Sequence, residues 1–213
     1  MITCRRYYLD MFLKRESHRM CGDVLDIGVK KNRKRGDFRP PLEQVESWKY
    51  VNIDSSAEPD YCCSAENIPL EPDSIDGFLL CEVLEHLKQP GKVLTEVFRI
   101  LKPGGTGWIT MPFLYQVHAD PDDYQRWTQT KLQHMLEEAG FTDVHIEPMG
   151  SVVAVMYDLW HAFLSRSPKQ GRFFNRVGSR LLRVLGPVAL AIDKKLTHYT
   201  KYINTGYSAV VRK

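Results

Sequence analysis

The segment from residue 76 to residue 113 constrains the fold more than any other part of the chain. An apolar run at 78–81 leads into the acidic sequence EVLEHL at 82–87, which is predicted to begin a helix. Apolar residues then recur at spacings of three and four up to Leu101, and the sequence KPGG stops the helix. A second β-type run, WITMPF at 108–113, begins directly afterwards. The segment therefore predicts a βαβ unit.

The same alternation of strands and helices extends along the chain. A first helix is predicted at 5–18, and a later one is predicted with Thr130 as its N-cap, Gln133 in a capping box and Gly140 at its end. Further strands are predicted at 23–28, 50–54, 61–63, 143–147 and 207–211. This alternation predicts an α/β fold with a mostly parallel sheet and helices on both faces.

Two strings in the βαβ unit, EVLEHL and RILKPGG, resemble a signature of class I S-adenosylmethionine-dependent methyltransferases. A later segment, HADPDDYQRWT at 118–128, is similar to one in the UbiE-like, type 11 group, and the overall resemblance covers residues 24–141 best. It implies one Rossmann-like domain over residues 1–213 with seven strands in the order 3-2-1-4-5-7-6. It also implies methyltransferase activity and S-adenosylmethionine as the cofactor.

Eight residues near the predicted strand ends are expected to bind this cofactor, because ligands of open parallel sheets bind beyond the carboxyl ends of the strands. Gly28 would let the chain pass close to the cofactor, and Asp54 would accept both ribose hydroxyls. By resemblance, the stretch SAENIP at 64–69 lies near the adenine, with Ser64 in place of the usual Asp. The full set is Asp26, Gly28, Asp54, Ser55, Ala65, Glu66, Cys81 and Glu82.

The loop after Gly28 departs from the family pattern. The family has G-x-G-x-G leading into a helix, whereas this chain reads GVKKNRKRG at 28–36, and Pro40 and Pro41 oppose a helix. Asn32 can tolerate the left-handed conformation that a glycine would supply. A rebuilt cofactor loop is the favoured interpretation. The alternative is a methyltransferase fold that has lost catalysis and serves as a binding scaffold.

Residues 118–128, HADPDDYQRWT, are expected to carry the chemistry. His118 is the candidate general base, because a hydroxyl acceptor must lose its proton when it attacks the methyl group. Asp123 would orient His118. Arg126 would grip a phosphate or carboxylate of the acceptor. In the alternative, structural reading, Arg126 and Asp123 form an ion pair that holds the loop over Trp127.

The segment 150–205 is longer than a connection between two strands needs, and it is predicted to be a helical insertion. Residues 151–164 are almost wholly apolar. At helical spacing, Arg172, Arg176, Arg180 and Arg183 fall on one side, opposite an apolar stripe. Such a helix either forms a lid over the acceptor site or lies on an anionic membrane surface. Both fit a glycan, glycolipid or related small acceptor.

Composition excludes several other classes of protein. A net charge of +3 in 213 residues is too small to indicate nucleic acid, so RNA methylation is disfavoured. Five cysteines without a C-x-x-C spacing favour a reducing, cytoplasmic compartment. No apolar stretch reaches the ~18 residues of a membrane span, which leaves peripheral contact with the cytoplasmic membrane face. Metal ligation by Glu82, Glu85 and His86 is set aside in favour of structural and cofactor-lining roles.

Overall fold

A seven-stranded sheet forms the centre of the computed structural model, which describes residues 3–30, 36–118, 122–166, 172–199 and 202–213. Its order is β3-β2-β1-β4-β5-β7-β6, as predicted. The first five strands are parallel, and β7 pairs antiparallel with both β5 and β6. The strands are β1 (Gly22–Ile27), β2 (Val45–Asn52), β3 (Tyr61–Cys62), β4 (Ile75–Cys81), β5 (Leu101–Pro112), β6 (Asp143–Met149) and β7 (Gly206–Arg212).

The predicted βαβ unit is present as β4, α2 (Pro90–Ile100) and β5, but its helix begins later than predicted. The sequence EVLEHL instead contains a single 3₁₀ turn, Leu84–His86. A residue before proline is disfavoured in the helical region, and Gln89, with φ −129° and ψ 67°, is not helical. The helix therefore starts at Pro90, whose fixed φ suits the first helical position.

Helices cover both faces of the sheet. On one face α2 and α3 (Gln129–Glu138) bury Val93, Leu94, Val97, Leu132 and Leu136 against the strands. On the other face α1 (Cys4–Glu16) buries Leu9, Phe12 and Leu13 against β1, β4, β5 and β7.

The prediction of the N-cap of α3 was wrong. Thr128 occupies this position, and its Oγ1 accepts from the backbone N–H of Lys131 at 3.3 Å. With Lys131 at the third helical position, there is no capping box. The predicted end of the helix is confirmed, because Gly140 has φ +110°.

Two helices, α4 (Val152–Arg166) and α5 (Arg172–Asp193), lie between β6 and β7. Two buried aspartates connect them to α1. Asp158 of α4 accepts from the backbone N–H groups of Cys4 (2.7 Å) and Arg5 (2.8 Å). Asp193 of α5 accepts from the N–H of Ala154 (2.8 Å) and from the hydroxyl of Tyr8 (2.6 Å). Within the described ranges, none of the helices is long and apolar enough to cross a bilayer.

Candidate active site

Gly28 marks the point where the chain leaves β1 at the carboxyl edge of the sheet. Its N–H donates to the carbonyl oxygen of Val51 at 2.9 Å, and its φ is +80°. A Cβ at this position would lie 2.5 Å from Cγ2 of Val83. Glycine is therefore required by the local packing as well as by its backbone angle, and the main chain here is left open to a ligand.

Asp54 follows β2 on the same edge and is exposed, as predicted for a ribose ligand. Its carboxylate accepts from the N–H (2.9 Å) and the hydroxyl (2.8 Å) of Ser56, and Lys30 Nζ lies 3.3 Å away. The hydrogen bonds from Ser56, together with Lys30, lower the pKa of Asp54. The Asp54 carboxylate is thus ionised and accessible, although a bound ribose would have to accept Ser56 as a second donor to the same oxygens. Ser55 begins the short 3₁₀ turn that Asp54 caps.

The other predicted cofactor residues have different environments. Asp26 is buried on β1, and Cys81 is buried with its Sγ 3.7 Å from the carbonyl oxygen of Trp108. Ala65 packs against the main core, whereas Glu66 is exposed and its N–H donates to Ser64 Oγ at 3.2 Å. The strand ends bring this set to one edge, and the cofactor contacts themselves remain predictions.

Glu82 is held by Arg5, a residue of the first helix that no sequence motif marks as part of the site. Arg5 Nε donates to the Glu82 carboxylate at 2.6 Å, a second guanidinium nitrogen forms an ion pair with it, and Thr110 Oγ1 donates at 2.8 Å. Burial acts to raise the pKa of Glu82, but the charge and hydrogen bonds of Arg5 keep it below its ordinary value. Nothing in the helical pattern around Arg5 indicates this role. With φ +58°, Glu82 adopts a backbone conformation that is uncommon for a non-glycine residue.

Three side chains meet beside this ion pair. Glu85 is fully buried, and its Oε1 lies 3.5 Å from His118 Nε2 and 3.7 Å from His86 Nε2. The two imidazole rings pack edge to face with centroids 5.1 Å apart. Burial raises the pKa of Glu85, and the proximity of Glu85 raises the pKa of His118. We refer to Glu85, His86 and His118 as the Glu-His-His cluster.

The loop that follows β5 forms this cluster by binding to the turn that follows β4. Gln125 Nε2 donates to the carbonyl oxygens of Leu84 and Leu87, each at 2.9 Å. The N–H of Tyr124 donates to the carbonyl oxygen of Glu85 at 2.8 Å. These contacts join segments about 40 residues apart, so sequence spacing gave no signal for them.

Asp123 and Arg126 form a loop clamp. Arg126 Nη2 donates to Asp123 Oδ2 at 2.7 Å and to the carbonyl oxygen of Gln116 at 3.1 Å. Hydrogen bonds from Arg126 hold the pKa of Asp123 well below its ordinary value. Asp123 also accepts from the backbone N–H of His118 at 2.9 Å, with Trp127 buried in the core nearby. Asp123 therefore positions the main chain of His118, while the carboxylate that faces His118 Nε2 is that of Glu85.

Comparison with known proteins finds similarity to methyltransferases. A family model described as a methyltransferase domain matches residues 37–109. The ubiquinone/menaquinone biosynthesis C-methyltransferase UbiE of Bartonella quintana (strain Toulouse) is 24% identical over 167 residues, which are 64% of this chain and 58% of that protein. The mitochondrial 2-methoxy-6-polyprenyl-1,4-benzoquinol methylase of Caenorhabditis elegans is 32% identical over 82 residues, 38% of this chain and 24% of that protein. The chain thus spans less than two thirds of the length of these relatives.

Solved structures show the same fold. A SAM-dependent methyltransferase from Archaeoglobus fulgidus has a TM-score of 0.58 at 19% identity, covering 98% of this chain and 94% of that one. The [4+2]-cyclase SpnF has a TM-score of 0.60 at 17% identity, covering 96% of this chain and 81% of that one. The cyclase shows that the fold alone does not determine the reaction.

The sheet order and the matching solved structures define the fold of class I methyltransferases. The chain is similar to S-adenosylmethionine-dependent methyltransferases, and its relatives include the UbiE-like group that the sequence resembles.

Proposed function

We propose that this chain transfers the methyl group of S-adenosylmethionine to a hydroxyl oxygen of a glycan, glycolipid or related small acceptor. The observation that carries the proposal is the Glu-His-His cluster, next to strand ends that fit the cofactor. Gly28 leaves main chain open on β1, and the exposed Asp54 carboxylate follows the neighbouring strand. The sulfonium of the cofactor supplies an electrophilic methyl group, so the protein mainly has to align the acceptor and remove its proton.

The acceptor hydroxyl is activated at the Glu-His-His cluster in this proposal. His118 is partly exposed and presents its imidazole beside the strand-end edge, whereas Glu85 is buried behind it. Asp123 acts on His118 as a positioning residue through the backbone hydrogen bond. Arg126 is occupied by Asp123 and by backbone carbonyl groups, which favours the loop-holding role over a grip on the acceptor.

A second candidate is C-methylation of a quinol-type acceptor. The names of the two curated relatives favour it, since they describe a quinone-pathway C-methyltransferase and a polyprenyl-benzoquinol methylase. Transfer of a labelled methyl group to model acceptors separates the two. Product that carries the label on oxygen supports the first candidate, and product that carries it on ring carbon supports the second.

Calorimetry with S-adenosylhomocysteine tests the cofactor site. We expect binding by the wild type, about tenfold weaker binding by Asp54→Ala because the ribose loses a charged acceptor, and unchanged binding by Ser56→Ala. The Ser56 substitution removes a hydrogen bond to Asp54 but retains the carboxylate. No binding by the wild type at millimolar ligand would support the lapsed scaffold instead. Methylation of RNA in the same labelled assay would support an RNA methyltransferase.

We also propose that the chain works in the cytoplasm and attaches peripherally to the membrane. Support comes from two exposed apolar stripes, one on α4 and one on α5, two helices that pack against each other. The α4 stripe consists of Met156, Leu159, Trp160 and Phe163, and the α5 stripe of Val184, Leu185, Val188 and Ile192. Of the four arginines predicted on one side of α5, Arg180 is exposed, and the side chains of Arg172, Arg176 and Arg183 lie outside the described part.

A further inference from the structure

We propose that the Glu-His-His cluster binds one divalent transition-metal ion, with Zn²⁺ the best match to its ligands. By sequence alone, Glu82, Glu85 and His86 are the candidate ligands, and structural and cofactor-lining roles are favoured for them. The structure changes this set, because Glu82 is bound by Arg5 and Thr110, while His118 from a distant loop joins Glu85 and His86.

The spacing of the ligand atoms fits an ion. The Nε2 atoms of His118 and His86 lie 3.5 Å and 3.7 Å from Glu85 Oε1, and the three ligand atoms lie within 4.8 Å of one another. A tetrahedral Zn²⁺ at about 2.1 Å from each ligand atom places these atoms about 3.4 Å apart. Both carboxylate–imidazole distances already approach this spacing.

The outer ring nitrogens are oriented as in metal sites. His86 Nδ1 lies 2.6 Å from the carbonyl oxygen of Asp122, and His118 Nδ1 lies 3.3 Å from that of Gln116. A carbonyl oxygen only accepts, so the contact of His86 assigns the proton to its Nδ1, whereas His118 Nδ1 also lies 3.4 Å from Arg126 Nη2 and 3.5 Å from Asp123 Oδ2. The Nε2 lone pair of His86 is then available, and both Nε2 atoms face the same carboxylate oxygen. A backbone carbonyl behind each ligating imidazole is the usual support of a metal-bound histidine.

Glu85 supplies the independent observation that points to a ligand. Its side chain is fully buried, and neither carboxylate oxygen has a hydrogen-bond donor among the described residues. A buried carboxylate without donors is costly, and a cation is one of the few groups that can compensate it. The imidazoles of His86 and His118 are 16% and 22% exposed, so an ion can enter from their side.

The ligand types favour a transition metal. Two imidazole nitrogens with one carboxylate oxygen suit Zn²⁺ better than Mg²⁺, which prefers oxygen ligands in octahedral geometry. Three protein ligands also leave a fourth position open, as in catalytic zinc sites. If the proposed function holds, the acceptor hydroxyl would bind at this position, where the ion would lower its pKa so that its proton passes to solvent water. The O–CH3 bond would then form as the S–CH3 bond of the cofactor breaks, releasing S-adenosylhomocysteine. Metal binding itself does not depend on that function.

Titration of the metal-free full-length chain with Co²⁺, followed by visible absorption, tests the site. We expect one Co²⁺ per chain, displaced by Zn²⁺, without a sulfur-to-cobalt charge-transfer band. Glu85→Gln, His86→Gln and His118→Gln should each weaken binding at least ~10-fold while keeping the wild-type circular dichroism spectrum. His134→Gln is the matched control, because His134 is exposed on α3 with only Glu138 nearby, and it should bind Co²⁺ like the wild type.

Three results would overturn the metal site: no bound Co²⁺, a charge-transfer band that indicates the exposed thiol of Cys62, or unchanged affinity in both Glu85→Gln and His118→Gln. Calorimetry with S-adenosylhomocysteine on the same samples separates the two proposals. Cofactor binding without metal binding would remove the metal site and leave the proposed function intact. Metal binding without cofactor binding would remove the proposed function and leave the metal site.

Discussion

Glu82 and Glu85 lie three residues apart in the turn after β4, and their carboxylates have opposite environments. Glu82 is neutralised by the buried guanidinium of Arg5, which lowers its pKa against the effect of burial. Glu85 is buried beside two imidazoles without a hydrogen-bond donor from the described residues, and its pKa is raised. Divergence of this kind between neighbouring acids is characteristic of functional sites. It separates Glu82, which is paired with Arg5, from Glu85, which faces His86 and His118.

His118 is the residue whose loss should affect turnover most selectively. We expect His118→Ala to reduce methyl transfer ~100-fold or more, because it removes the imidazole that contacts Glu85, and to leave S-adenosylhomocysteine affinity nearly unchanged. Single-turnover assays together with calorimetry measure both effects. Comparable losses of turnover and cofactor affinity would indicate a structural histidine. His145→Ala, an exposed histidine on β6, is the control.

The strand-end residues could be predicted from the sequence, whereas the contacts that the loop after β5 makes with the turn after β4 could not. Asp54 and Gly28 follow apolar runs, so their position at the sheet edge follows from the rule for parallel strands. Glu85 was predicted to lie in a helix, because the acidic string EVLEHL is typical of a helix start. Its contact with His118 depends on a loop that binds the turn from 33 or more residues away. Periodicity carries no information about such contacts.

At the scale of elements, Asp193 joins three helices. This buried carboxylate at the end of α5 accepts from the backbone N–H groups of Ser151 and Ala154 at the start of α4 and from the hydroxyl of Tyr8 in α1. Asp193→Ala should lower the free energy of unfolding by about 3 kcal/mol or more, because several buried donors lose their acceptor. Tyr8→Phe, which removes one donor, should cost about 1 kcal/mol. Urea denaturation measures both losses of stability. Equal losses in the two variants would argue against Asp193 as the residue that connects the three helices.

Asp158 gives the helical insertion a pH dependence. Burial raises its pKa to about 6, although the N–H groups of Cys4 and Arg5 favour its charged form. Because this value exceeds the ordinary 3.8, its contribution to stability is fully present below about pH 3.8 and is lost as the pH rises through about 6. Relative to Asp158→Asn, the wild type should lose about 3 kcal/mol over that interval. Carboxyl NMR should give a midpoint near 6, and a midpoint near 4 would contradict the assignment.

Element types were easier to predict than element boundaries. The strands and α3 were recognised from their periodicity, but both Thr128 and Thr130 are acceptable N-caps, and the cap prediction failed on this choice. The start of α2 was missed because Gln89 precedes a proline and is not helical, and because the turn at Leu84–His86 is held by hydrogen bonds from Gln125 of a later loop. Tertiary contacts of this kind override the local helix propensity of the EVLEHL string.

At the scale of the whole molecule, the order of the sheet came from the family resemblance, since alternation predicts only a parallel α/β sheet. The position of the insertion was visible as excess length before the last strand. The exposure of its apolar residues was less predictable, because an amphipathic helix usually buries its apolar side against the protein core. Trp160 and Phe163 of α4 are instead 53% and 55% exposed, with ring centroids 5.7 Å apart. Exposed apolar surface on this scale indicates a binding surface.

We therefore expect the protein to cosediment with vesicles that contain anionic phosphatidylglycerol and to be released by high salt. Lys195 is exposed beside Val188 and Ile192, and Arg180 is exposed on the same helix as these apolar residues. Each basic residue near an anionic surface contributes ~1 kcal/mol. The double substitution Arg180→Glu with Lys195→Glu should therefore abolish cosedimentation, and Trp160→Ser with Phe163→Ser should weaken it even at low salt.

A matched control separates surface location from net charge in this experiment. Lys92→Glu with Lys131→Glu changes the charge by the same amount at exposed sites on α2 and α3, away from the insertion. This variant should still bind vesicles, because the stripes and their basic neighbours are intact. If the control loses binding as fully as Arg180→Glu with Lys195→Glu, attraction is a property of overall charge and not of this surface. If the wild type fails to cosediment at low salt, α4 and α5 act as a lid and the membrane proposal is wrong.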